Sequence, residues 1–282
     1  MRFATQRLML CAAFALGAAA PLVAHADATW TASSCTTNCS ESGDPAPNVS
    51  YSAYSAAINT TNGAYVSTGG FASSTLAFYS GGGFGVVAPS GDTQSPNHSL
   101  DNYGYQDLIL LKFDDLVKLT QVKIGWSQYD SDISVLAYTG NTSGVNVANT
   151  INGKTASTLT GSGWSLVGSY ADLVTGTNKA INAQGVSSSW WIITAYNSQL
   201  GGAPTGGDGS TSGLTRGLGT NYAGYDFVKL YSVSGTATTT RQNVPEPATL
   251  ALSAVALLGV AGVRRQRQKR VNERAEGERA QG

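Results

Sequence analysis

Short runs of apolar and β-branched residues, separated by clusters of Gly, Asn, Ser and Thr, recur along the central part of the chain. In residues 122–126, Val122, Ile124 and Trp126 alternate with Lys123, which is the period of two expected for a strand with one buried face. We therefore predict an all-β fold, an antiparallel β-sandwich of the jelly-roll or lectin-like kind. The predicted strands cover 49–58, 75–79, 108–113, 122–126, 133–138, 164–170, 190–196 and 225–233.

The N-terminus has the three parts of a secretory signal peptide. Arg2 and Arg7 supply the positive charge, residues 8–16 are apolar, and the small residues of 24–26 form a cleavage site. An uncleaved anchor is the alternative, but the apolar run is short for a membrane span. We predict a signal helix over 1–26 and a folded domain over 27–235.

Export bears on the interpretation of the cysteines. Cys35 and Cys39 remain after cleavage and enter an oxidising compartment, where a close pair favours a disulfide. Such a bond would close a small loop and stabilise the fold by about 2 kcal/mol. A zinc clip is the weaker alternative, because two thiolates without further Cys or His ligands make a poor site. His98 is the one histidine outside the signal peptide, so multi-histidine metal sites are excluded.

The C-terminus combines three unusual segments. Val244, Pro245, Glu246 and Pro247 precede an uncharged run of 16 residues, 248–263, which as a helix would extend about 24 Å and would span a bilayer core marginally. The prolines keep their stretch extended and available to a protease. A basic cluster follows at once and is expected to stay cytoplasmic by the positive-inside rule: Arg264, Arg265, Arg267, Lys269 and Arg270.

This C-terminus resembles the PEP-CTERM sorting signal of Gram-negative bacteria. The resemblance implies recognition and processing near 245–247 by exosortase, an integral-membrane cysteine transpeptidase. It also implies an inner-membrane-anchored precursor that is delivered to the cell surface or secreted into the extracellular matrix. Around the signal at 244–270 we expect a Thr-rich stalk at 236–243 and a polar cytoplasmic tail at 271–282. A plain single-pass anchor is the alternative.

The central domain also resembles exosortase-dependent surface proteins of the XDP1 type. The similarity lies in residues 101–114, 124–126 and 130–138. It implies an exported surface protein and brings no known activity with it.

Charge is unevenly distributed along the chain. The full sequence has 17 basic and 17 acidic residues, but residues 27–243 carry 8 basic and 13 acidic side chains, for a net charge of −5. An acidic domain is unsuited to nucleic acid, so we expect no nucleic-acid partner. It should stay soluble and avoid nonspecific binding to polyanions.

Asp130 and Asp132 form a candidate metal site. Their carboxylates can point the same way and would repel each other unless a cation or hydrogen-bond donors intervene. Calcium prefers such oxygen ligands, and Asp114 or Asp115 would complete the shell. A solvated acidic loop is the alternative, because no complete calcium-loop motif is present. No other cofactor is expected.

Tryptophans are the candidate ligand-binding residues. Trp126, Trp190 and Trp191 offer flat apolar faces to sugar rings, and polysaccharide is the partner that we expect. Tyr129, Trp164 and Tyr196 are weaker candidates of the same kind. The alternative is that most of these rings fill the core.

We expect a non-enzymatic protein, because no motif orders catalytic groups. His98 lies in a loop-like stretch without a nucleophile elbow. A secreted carbohydrate-active hydrolase that uses paired aspartates is one alternative, with candidates Asp107, Asp114, Asp115, Asp130, Asp132 and Asp172. A calcium-dependent adhesin or ice-binding protein is another, although no regular Thr array supports it.

Overall fold

The computed structural model describes residues 27–40, 46–61, 64–89, 93–205 and 225–238, together with 264, 265 and 267. These residues contain twelve strands in one sheet, and all pairings between the strands are antiparallel. An all-β antiparallel fold is therefore confirmed. The strands are β1 (Asp27–Thr31), β2 (Val49–Thr61), β3 (Ala64–Ser67), β4 (Ala72–Tyr79), β5 (Gly83–Val87), β6 (Leu100–Asp101), β7 (Tyr105–Tyr129), β8 (Ile133–Tyr138), β9 (Trp164–Tyr170), β10 (Asn178–Ala180), β11 (Ser188–Ala195) and β12 (Asp226–Thr238).

Strand β7 organises the sheet. Its first part pairs with β2 on one side and β11 on the other, and its second part pairs with β12 and β10. The circuit β2, β7, β12, β5 and β4 closes on itself through these pairings, while β11, β8 and β9 extend the sheet from β7. The predicted strands at 108–113 and 122–126 are thus two parts of one 25-residue strand.

Burial on both faces explains the continuous apolar run in the first part of β7. Ile109 and Leu111 face the main core, whereas Leu108 and Leu110 face a second core. The second core is covered by the segment between β8 and β9, which holds the short helix α1 (Ala156–Leu159). A strand covered on both faces loses the alternation that marks a half-buried strand.

The two ends of the described domain lie side by side. Asp27 at the start of β1 pairs with Thr236 near the end of β12, and the Thr236 hydroxyl donates to the Asp27 carboxylate at 3.1 Å. The expected stalk therefore requires a correction, because Thr236, Ala237 and Thr238 belong to β12. The disulfide between Cys35 and Cys39 is present in the connection from β1 to β2, as predicted.

Both targeting segments lie mainly outside the described residues. This holds for the predicted signal helix at 1–26, for 244–263, and for Lys269 and Arg270. Arg264, Arg265 and Arg267 are helical and exposed, and they belong to a second unit of the chain, Thr239–Gly282. Within the described part of the chain, the structure has no helix long and apolar enough to cross a membrane.

Candidate functional site

Three aspartates converge at the junction of β7, β8 and β9. Asp130 and Asp132 lie in the turn between β7 and β8, and Asp172 follows β9, which pairs with β8. Ligand atoms of the three carboxylates all lie within 4.8 Å of one another. The Asp172 backbone N–H donates to Oδ1 of Asp132 at 2.7 Å, which holds the two segments together.

A fourth aspartate, Asp226, is hydrogen-bonded to the acidic cluster of Asp130, Asp132 and Asp172. One of its carboxylate oxygens accepts from the Asp132 backbone N–H at 2.7 Å, and the other accepts from the Asn102 amide at 2.6 Å. Burial raises the pKa of Asp226 well above its ordinary value, and the negative charges of Asp132 and Asp130 raise it further. Asn102 in turn binds the backbone of Asp226 and Tyr196, so three distant segments are fixed around the cluster.

The composition of the cluster differs from the expected one. Asp172 is the third member, whereas Asp114 and Asp115 lie in the middle of β7 and do not belong to the group. Asp130 and Asp132 are 5% and 1% exposed, respectively. Asp172, by contrast, is exposed. Carboxylate oxygens so arranged have the chemistry of a calcium site.

Calcium binding at this cluster stays a prediction. If the cluster binds calcium, adding Ca²⁺ should raise the thermal unfolding midpoint of the exported protein. At a Ca²⁺ concentration about one hundred times the Kd, the free energy of unfolding should increase by about 3 kcal/mol. Asp132→Asn should remove the effect, and Asp114→Asn should keep it. Identical midpoints in Ca²⁺ and in EDTA would favour the hydrogen-bonded acidic loop instead.

A separate cleft of about 450 Å³ lies beside β9 and β10. Its polar lining residues are Tyr170, Lys179, Gln184 and Thr205, and the other lining residues are apolar or glycine. None of the described residues that line this cleft is a carboxylate.

The predicted tryptophan platform needs correction. Trp191 is fully buried in the main core and has no face for a ligand, and Trp164 and Tyr196 are buried as well. Trp126 and Trp190 are half-buried, and each has a lysine ammonium over its ring. The alternative that the ring fills the core is therefore correct for Trp191. Consecutive side chains of a strand point to opposite faces, and in β11, which pairs with β7, Trp191 points into the main core.

Lys229 is enclosed by aromatic rings. Its ammonium lies 3.7 Å from the ring centroid of Trp126 and 4.6 Å from that of Tyr79, against which the imidazole of His98 stacks. Burial lowers the pKa of Lys229 to about 8, although the negative charge of Asp101 opposes the shift. Lys229 is 3% exposed, and its ammonium covers one face of the Trp126 ring.

The lowered pKa of Lys229 predicts that the stability of the fold depends on pH. Above about pH 8 the folded protein releases a proton that the unfolded chain keeps up to its ordinary pKa of 10.5. The free energy of unfolding of the wild type, relative to Lys229→Met, should therefore rise with pH between these values. Equilibrium denaturation at pH 7, 8, 9 and 10 would measure the difference. Lys112→Met, at an exposed lysine over Trp190, is the control, and a flat difference for Lys229→Met would contradict the prediction.

Two exposed tyrosines are sequence neighbours of residues in or bonded to the acidic cluster. Tyr129 immediately precedes Asp130 and is 56% exposed, and Tyr103 immediately follows Asn102 and is 37% exposed. Tyr129 was a candidate from the sequence, but Tyr103 was not. The sequence signal for Tyr103 is the glycine that follows it, Gly104, since glycine favours turns at the surface. In the structure Gly104 has a φ of +71°.

Comparison with known proteins finds one family match. Residues 243–266 match the PEP-CTERM protein-sorting motif, which includes Pro245, Glu246, Pro247, Arg264 and Arg265. The chain carries a PEP-CTERM motif. It is therefore an exported protein of the cell envelope that exosortase sorts. No curated protein and no solved structure matches the chain, and the resemblance of the central domain to the XDP1 type stays a prediction.

Proposed function

We propose that the protein is a non-enzymatic component of the cell surface or extracellular matrix, and that its β-domain associates with exopolysaccharide. The observation that carries the proposal is the PEP-CTERM motif at 243–266, because it assigns the chain to exosortase-dependent export. The folded domain is then what the sorting system delivers.

The course of β12 supports delivery of an intact domain. The strand ends at Thr238, and only residues 239–242 separate it from the motif. Cleavage at 245–247 would remove the apolar run and the basic cluster and leave every described strand in the released part. In this proposal the precursor is held in the inner membrane by 248–263 until exosortase acts.

A non-enzymatic role is supported by the placement of the carboxylates. Asp130 and Asp132 are buried, and each carboxylate accepts a hydrogen bond from a backbone N–H group. Asp172 is exposed, and none of the three is among the described residues that line the cleft. A glycosidase needs two carboxyl groups on either side of an accessible substrate. We therefore place the hydrolase second, and the calcium-dependent adhesin rests on the calcium test above.

Retention on polysaccharide tests the proposed role directly. The mature protein, purified from the medium or envelope of the exporting cells, should be retained by immobilised exopolysaccharide of the same cells. Lack of retention by folded protein would overturn the polysaccharide part of the proposal. Turnover of glycan or ester substrates by the same sample would favour the hydrolase.

A further inference from the structure

We propose that Tyr103 and Tyr129 form a stacking platform for the sugar rings of a neutral polysaccharide. The inference rests on the proposed function, since it names the residues and the class of glycan for the association proposed there. Pyranose rings present apolar C–H faces that pack on flat aromatic rings, while their hydroxyl groups remain solvated or hydrogen-bonded.

The two rings share a rigid support. Tyr129 packs edge-on against Phe227 with ring centroids 5.8 Å apart, and Tyr103 lies 6.2 Å from the same ring. Tyr103 also meets Tyr225 edge-to-face at 4.9 Å. Phe227 is fully buried and Tyr225 is 4% exposed, so two core residues hold two exposed ones. Such preorganised tyrosines lose little conformational entropy when a ligand binds.

The backbone at Tyr129 is strained. Its φ of +64° lies in the left-handed region, which a bulky aromatic residue rarely adopts. The next residue is held by two hydrogen bonds, because the Asp130 carbonyl accepts from the Phe227 N–H at 3.1 Å and the Asp130 carboxylate accepts from the Ser131 N–H at 2.8 Å. Strain of this kind concentrates at ligand sites, where it orients a side chain that function requires.

Charge selects the class of glycan. The segments that carry the tyrosines also carry Asp101 and Asp130, and residues 27–243 have a net charge of −5. Lys229, which lies over Trp126 beside the buried rings of Tyr225 and Phe227, is 3% exposed. A polyanionic chain rich in uronic acid would be repelled, whereas a neutral polysaccharide would not.

The platform lies at one end of β12. Phe227 is the second residue of the 13-residue strand that runs to Thr238. At about 3.3 Å per residue the two ends of the strand are roughly 40 Å apart. The tyrosines therefore lie at the opposite end of β12 from the residues that lead into the sorting motif.

Alanine substitution of both tyrosines tests the platform. The exported wild type, Tyr103→Ala/Tyr129→Ala and the control Phe78→Ala would be titrated with a neutral glucan, a neutral galactomannan, a polyuronate and the cells' own exopolysaccharide. Phe78 is the matched control because it is 41% exposed and packs on a buried ring, Phe84, in another part of the sheet. Circular dichroism and thermal unfolding would establish that each variant is folded.

We expect the double alanine variant to bind at least about tenfold more weakly than the wild type. Phe78→Ala should bind like the wild type, and Tyr103→Phe/Tyr129→Phe should recover most of the lost affinity because it keeps both rings.

Equal binding by the wild type and the double alanine variant would overturn the platform and leave the proposed function standing. If the wild type binds none of the polysaccharides, the proposed function fails. Binding to the polyuronate alone would overturn the choice of a neutral glycan. Self-association that depends on the two tyrosines would assign the surface to a second copy of the chain.

Discussion

Replacing Trp30 with alanine is expected to lower the free energy of unfolding by about 3–5 kcal/mol. Trp30 is fully buried in the five-residue strand β1 and packs edge-to-face on Phe113 with centroids 4.8 Å apart. Its indole N–H donates to the Pro47 carbonyl at 2.8 Å. The substitution would leave a cavity and remove that donor, and it would loosen β1 from β12.

Equilibrium unfolding in urea would measure this loss on the exported protein. Trp190→Ala is the matched control, because it removes the same side chain from a half-buried position. Its cost should be less than half that of Trp30→Ala. Coinciding unfolding midpoints for the two variants would contradict the assignment of Trp30 as a structural anchor of β1.

Replacing Pro245, Glu246 and Pro247 with alanine is expected to abolish sorting. The three residues lie at the start of the matched motif, and the prolines keep the chain extended for the processing enzyme. Nearly all of the protein should then remain cell-associated as a precursor. Immunoblots of cells and medium would show the longer form accumulating as the released form disappears.

A control from the same stretch separates this effect from a general loss of export. Thr240→Ala/Gln242→Ala alters two residues just before the motif and should be released like the wild type. If the alanine-substituted motif were released at the wild-type size and rate, exosortase-dependent processing at 245–247 would be wrong.

The long strands were predictable because they bury many apolar residues. Residues 133–138 and 164–170 coincide with β8 and β9, and alternation correctly placed Val122 and Ile124 in the core. The shorter strands β1, β3, β5, β6 and β10 were not predicted. Runs of two to five residues carry too little pattern to distinguish them from loops.

Glycine accounts for one of these differences. The sequence Gly81–Gly82–Gly83 indicates a loop, but Gly83 begins β5. A Cβ atom at Gly83 would overlap the backbone of Leu230 in β12. Here glycine allows two strands to approach closely, and composition alone does not distinguish this use from flexibility.

The acidic cluster was predictable only in part. Asp130 and Asp132 are close in the sequence, but Asp172 is brought to them by the pairing of β8 with β9, and Asp226 by its place at the start of β12. Long-range register decides both placements, and local pattern does not encode it. For the same reason the sequence indicated Tyr129 only as a weaker candidate and did not indicate Tyr103, although the structure exposes both.

The central claim is that exosortase sorts this chain through its C-terminal motif. Mass spectrometry of the C-terminal peptide of the protein recovered outside the cell tests this claim most directly. We expect the chain to end within or beside residues 245–247 and to lack 264–282. Released protein that still ends at Gly282 would contradict it.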